Sequence, residues 1–218
     1  MSVMAPVEGL SRRLGIRRTR DSRRERLLIS RRPSGPLTES FRLLAANVEA
    51  LLAGDRRRAL VVVSANAGDG RSLVAANLAI ALAEQHRVLL VEEDQRTLSR
   101  LFLSGNRLQR NGIPASLRRS VLETNQTGIY IRPGTDGPQL LHHDLASTID
   151  VASADGMYTI IDSPPASQSS DAFLLAQQAR NVLYVVRKDT ASMEMQRQIR
   201  KHLERLNANI IGLVLNEF

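Results

Sequence analysis

The chain has 218 residues, 43% of them hydrophobic, which suits one α/β domain with a sizeable core, or one domain plus a tail, and is too short for two full domains. It contains no cysteine, so disulfides and thiolate metal sites are excluded, and a reducing compartment is the natural setting. The net charge is +8, and residues 1–32 supply +7 of it through ten arginines set against Glu8, Asp21 and Glu25.

Residues 1–32 read as a disordered basic tail, without a signal-peptide core and with too many acids for a mitochondrial presequence. Such a tail is either a solvated leader or a contact for acidic surfaces, whether anionic lipid headgroups at the inner face of a membrane, nucleic acid or an acidic partner. It carries no aromatic residue on which a base could stack, which argues against nucleic acid. Pro33 to Pro36 ends the tail, and a single domain is expected over residues 33–218. A helix is expected over Leu37–Leu52 with Thr38 as N-cap, stopped by Gly54 and Asp55. Ala59–Val63 is apolar and β-branched, as a strand buried on both faces should be, and Leu73–Ala83 reads as an alanine-rich helix. Arg87–Asp94 reads as a second buried strand running into acidic residues, and residues 95–127 as irregular. Then follow a short strand at Ile129–Ile131, a helix at Leu140–Ala154 and a strand at Met157–Asp162 leading into Ser163, Pro164 and Pro165. A helix at Asp171–Ala179, a strand at Val182–Val186, a helix at Ala191–Leu206 and a strand at Ile210–Leu215 complete the chain. The alternation implies an α/β fold with a doubly wound, mostly parallel sheet. No run is long and apolar enough to span a bilayer, and a cytoplasmic protein is expected.

Between the first strand and its helix lies Ser64-Ala-Asn-Ala-Gly-Asp-Gly-Arg-Ser72, which has the form of a phosphate-binding loop. Gly68 and Gly70 let backbone amides approach an anion, and the helix start that follows, through Asp69, Ser72 and Leu73, presents N–H groups to it. In the usual pattern a lysine precedes the hydroxyl residue; here Arg71 stands in its place, and Ser64 stands where the first glycine would be. Ligands of such sheets gather beyond the carboxyl ends of the strands, where Glu92, Asp94, Arg96 and Asp162 also fall. Magnesium takes oxygen ligands, so Ser72 and Asp162 are the candidates to hold the ion of an ATP.

These motifs together resemble the bacterial protein-tyrosine kinases of capsular and exopolysaccharide synthesis, within the deviant Walker P-loop ATPases that include partitioning and septum-positioning proteins. The resemblance covers residues 33–218. It runs through Pro36 to Arg42, Gly68 to Ser72 with Ala75 to Ala79, Leu89 to Arg96, Tyr158 to Pro165, Ser170 to Ala172, Val185 to Arg187 and Ile211 to Asn216. It implies a P-loop NTPase fold that binds ATP and Mg2+. Gly68, Gly70, Arg71 and Ser72 match the Walker A loop, Glu92, Asp94 and Arg96 the second acidic motif, and Asp162 the Walker B aspartate. An aspartate of the second motif assists deprotonation of the acceptor tyrosine in that family, which places Asp94, with Glu92 and Arg71, in the catalytic set. Glu39 and Arg42 match an oligomerisation motif that packs across a neighbour's site, and Asn216 lies where the family contacts adenine. The implied partners are a membrane-bound polysaccharide copolymerase or chain-length regulator and further copies of the chain.

The chain departs from the family at several points. Arg71 replaces the Walker lysine, Glu92 replaces an aspartate, Ala45 replaces the motif's second arginine, and no tyrosine cluster follows Asn216. Tyr130, Tyr158 and Tyr184 fall in expected strands and read as core. Two readings of the same fold follow: an active tyrosine kinase, or a nucleotide-binding or empty pseudokinase that regulates the copolymerase as a scaffold. A third is a partitioning or positioning ATPase acting on DNA or membrane, although Asn66 stands where such proteins carry an additional lysine. Because Arg and Lys differ in shape at a phosphate, Arg71→Lys is expected from sequence to tighten ATP binding.

Overall fold

The computed structural model describes residues 4–5, 34–93, 97–103, 113–134, 140–188 and 192–217, with the side chains of residues 140–143 left aside. Most of the expected tail, with Asp94 and Arg96, therefore lies outside the described residues. In chain order the elements are β1 (Met4–Ala5), α1 (Pro36–Leu52), β2 (Ala59–Ser64), α2 (Arg71–Leu82), β3 (Val88–Glu92), α3 (Thr97–Phe102) and β4 (Leu122–Glu123). They continue with β5 (Ile129–Arg132), α4 (Leu140–Ala154), β6 (Tyr158–Asp162), α5 (Asp171–Ala179), β7 (Asn181–Arg187), α6 (Met193–Arg205) and β8 (Asn209–Asn216).

Among the described residues the strands form one sheet in the order β1-β8-β7-β2-β6-β3-β5-β4. All neighbours are parallel except β4 and β5. The doubly wound expectation holds, and the physical cause is visible in the burial. Successive residues of β2 point to opposite faces, and both faces are covered. Leu60 and Val62 join the core under α1, α2 and α3, whereas Ala59, Val61 and Val63 join the core under α4, α5 and α6. Tyr130, Tyr158 and Tyr184 are buried in β5, β6 and β7 as expected.

Three local expectations need correction. Met4–Ala5 lie within the expected disordered tail but form β1, paired in parallel with Leu213 and Val214 of β8. The N-cap of α1 is Gly35, with Pro36 in the first turn, and Thr38 is buried within the helix. Proline pre-sets the helical φ where its missing N–H costs nothing. The stretch 95–127, expected to be irregular, contains α3, whose Leu98, Leu101 and Phe102 are buried at helical spacing, and the short strand β4 paired with β5.

The topology places the site. β2 lies between β7 and β6, with Ser64 opposite Val185 and Val62 opposite Asp162. On the far side of β6, Glu92 lies opposite Asp162. The loop after β2, the acid ending β6 and the acid ending β3 thus converge at one edge of the sheet.

Candidate nucleotide site

The loop after β2 is held by its own side chains. Buried Asp69 turns its carboxylate inward, accepting from the Asn66 amide at 2.7 Å, while its carbonyl accepts from the Asn216 side-chain amide at 2.8 Å. Gly68 and Gly70 adopt φ values of +84° and +100°, a left-handed region that other residues enter at a cost. At Gly70 there is a second reason for glycine: an added Cβ would lie 2.1 Å from the Asn216 side-chain nitrogen. The first bond of α2 runs from the Val74 amide to the Gly70 carbonyl at 2.9 Å, so the amides before Val74 face out of the helix start. Ser72 and Leu73 sit in that first turn, half-buried. The arrangement is an anion cradle of the phosphate-loop kind.

Arg71 bends back towards the loop and its flank. Its Nη1 donates to Ser64 Oγ at 2.7 Å and to the Asn66 carbonyl at 3.2 Å, and its Nε donates to the Ser163 carbonyl at 3.0 Å. Ser64 Oγ in turn donates to the Asn66 carbonyl at 3.1 Å. The two departures from the phosphate-loop pattern are therefore partners: a glycine at position 64 would remove the acceptor that Nη1 uses. The Ser163 link fastens the loop to the segment after β6, which is also tied by Ala166 N to Ser64 O at 3.0 Å and Ser167 N to Ala65 O at 3.1 Å.

Asp162 ends β6, 5% exposed, and its carbonyl accepts from the Glu93 amide at 3.3 Å. Its neighbour Glu92 is fully buried and turned towards α3. One carboxylate oxygen accepts from Leu98 N at 2.5 Å, the other from Ser99 N at 3.0 Å and from Ser99 Oγ. Burial pushes the Glu92 carboxyl above its usual range, with the three donors pulling partly back. The longer side chain lets Glu92 serve as the N-terminal cap of a helix beginning several residues later.

For magnesium, no cluster of three His, Cys, Asp or Glu exists among the described residues. The hydroxyl of Ser72 and the carboxylate of Asp162 are hard oxygen donors of the type that magnesium shares with phosphates, so the donor set fits an ion that arrives with a nucleotide. Arg42 donates to Glu84 from two nitrogens at 3.0–3.1 Å and to Glu39 at 2.9 Å, and both acids raise its pKa. The two expected oligomerisation residues are thus joined on α1 and tied to the end of α2.

Comparison with known proteins fits this geometry. The chain is 28% identical over 97% of its length to the putative tyrosine-protein kinase EpsB of Ralstonia nicotianae, spanning 30% of that protein. It is 25% identical over 93% of its length to the tyrosine-protein kinase YwqD of Bacillus subtilis, spanning 91% of it. The chain is a homologue of bacterial tyrosine-protein kinases. The succinoglycan biosynthesis transport protein ExoP of Rhizobium meliloti is 24% identical over 85% of the chain, which spans 25% of ExoP. Among solved structures, the BceF tyrosine kinase domain superposes with a TM-score of 0.72 at 26% identity, covering 87% of this chain and 81% of that one. No family model matches the chain.

Within this kinase-like frame, the structure gathers Gly68, Asp69, Gly70, Arg71, Ser72, Leu73, Asp162 and Asn216 around one loop. Glu92 joins them at the neighbouring strand end but faces α3. Sequence reasoning gave no role to Ser64, Ser163 or Arg187. Ser64 was legible as a departure from the glycine pattern, but its pairing with Arg71 depends on the folded loop.

Proposed function

We propose that the chain binds Mg-ATP at the Ser64–Ser72 loop and acts as a tyrosine-kinase-like component of capsular or exopolysaccharide synthesis. The observation that carries this is the cradle itself: a left-handed Gly70 at the start of α2, braced by Asn216, beside the buried carboxylate of Asp162 on the adjacent strand. Bound magnesium would supply charge neutralisation at the phosphates, held by Ser72 and Asp162. The chain's own part is to orient the phosphates with loop amides and to exclude misplacement through the Arg71 brace. Glu92 positions α3, and the resemblance assigns Asp94 to the acceptor hydroxyl, with Arg96 two residues further on. Asn216 steadies the loop, and the resemblance assigns it to the adenine end. The partitioning-ATPase reading has no comparable support, because the similarity to tyrosine-protein kinases extends over nearly the whole chain.

Asp162→Asn tests the magnesium assignment. It should abolish magnesium-dependent nucleotide binding while leaving the melting temperature within a few degrees of wild type, since the side chains are nearly isosteric. Unchanged binding in that variant, measured with and without EDTA, would remove Asp162 from the site.

The partner we assign is a membrane-bound polysaccharide copolymerase, with homo-oligomers formed through the α1 face bearing Glu39 and Arg42. Among the described residues no helix is long and apolar enough to cross a membrane. We assign recruitment to the inner membrane face to that partner and to the arginine-rich residues 1–32, each arginine contributing at most about 1 kcal/mol near an anionic surface. Deleting residues 2–32 should abolish cosedimentation with vesicles containing phosphatidylserine, and moderate salt should weaken it in the intact chain. Undiminished sedimentation of the truncated chain would show that the segment makes no lipid contact.

A further inference from the structure

Resting on the reading of the loop as a nucleotide site, we propose that Arg187 supplies the positive charge that holds the nucleotide's phosphate chain, while Arg71 braces the loop. In the phosphate-loop pattern one lysine meets this need. Here Nε and Nη1 of Arg71 are committed to Ser163 O, Ser64 Oγ and Asn66 O, the shortest at 2.7 Å, and moving the guanidinium onto a phosphate would give up those bonds. A second guanidinium reaches the same loop from the opposite flank. Arg187 is the last residue of β7, two residues beyond the Val185 that lies opposite Ser64, and its Nη1 touches the Gly68 carbonyl at 3.4 Å.

That contact is long and has a neutral acceptor, so it yields readily to a phosphate oxygen, whose hydrogen bond would be charge-assisted and stronger. Arg187 is half-buried, and among the described residues no carboxylate pairs with it. The adjacent Lys188 is already committed, its Nζ lying 2.8 Å from Glu217. Because β2 runs between β7 and β6, the two arginines straddle the loop, one fastening it to the β6 side and the other standing at its crest. The lysine's two tasks, holding the loop and holding the phosphates, are thereby divided between two residues.

The test is calorimetric titration of the full chain with Mg-ATP, Mg-ADP and magnesium tripolyphosphate, comparing wild type, Arg187→Gln and Arg187→Lys. Arg187→Gln should weaken all three ligands by about tenfold or more, and Arg187→Lys should recover part of the loss. If wild type binds and Arg187→Gln binds equally well, the assignment is wrong while the nucleotide reading stands. Loss of the nucleotides with tripolyphosphate binding unchanged would also overturn it, since Arg187 would then act on the base or sugar. If wild type binds none of the three, the nucleotide reading itself fails and takes the assignment with it. Should Arg187→Gln not fold, the lysine variant decides: retained tripolyphosphate binding supports the charge role, and its loss contradicts it.

Discussion

Gly70→Ala should collapse the nucleotide site and cost the fold about 2–4 kcal/mol. The added methyl group would sit 2.1 Å from the Asn216 side-chain nitrogen and 3.1 Å from its Cγ, on backbone with φ at +100°. Asn216 is buried and already donates to the Asp69 carbonyl, so it has little room to retreat. Two costs combine: left-handed backbone strain at a residue with a Cβ, and loss of the hydrogen bond that steadies the loop. They can be separated by a double-mutant cycle in thermal unfolding. In an Asn216→Gly background, where that hydrogen bond is already gone, Gly70→Ala should cost only the backbone strain. If Gly70→Ala alone unfolds at the wild-type temperature and binds Mg-ATP normally, the loop does not have the geometry described.

Arg71→Met should destabilise the chain by about 1–3 kcal/mol, because it removes the donor to two carbonyls and one hydroxyl that bind the loop to itself and to the β6 side. A melting-temperature drop of roughly 2–4 °C per kcal/mol is expected for a chain of this size. Arg71→Lys should fall between, since one ammonium cannot reproduce contacts made from two separate nitrogens to Ser64, Asn66 and Ser163. Sequence alone suggests that lysine would tighten ATP binding. The folded loop reverses that expectation: affinity in Arg71→Lys should be unchanged or lower. A gain in affinity with the melting temperature preserved would restore the view of arginine as a poor substitute for the Walker lysine.

What the sequence conveyed and what it withheld divide along physical lines. The buried strands were legible because Ala59–Val63 and its counterparts must bury both faces, and helices such as Asp171–Ala179 because their spacing and boundaries are local. α3 escaped because six residues carry little periodicity and because its cap, Glu92, belongs to another element. Thr38 looked like a cap by residue type, but Pro36 had already set the helix start. At the site, the glycines and Asp162 were readable as types in a required order. The pairing of Arg71 with Ser64 and Ser163, the hydrogen bond from Asn216 to the Asp69 carbonyl and the approach of Arg187 to Gly68 each join residues distant in sequence or depend on loop conformation. No local pattern encodes them. Asp94 and Arg96 lie outside the described residues.

The central claim is that the loop between β2 and α2 is a working Mg-nucleotide site despite Arg71. Calorimetric titration of the purified full chain with Mg-ATP tests it most directly. The expected result is saturable binding at one site per chain that disappears when EDTA removes magnesium. Absence of binding at millimolar nucleotide, or binding that survives EDTA undiminished, would contradict it.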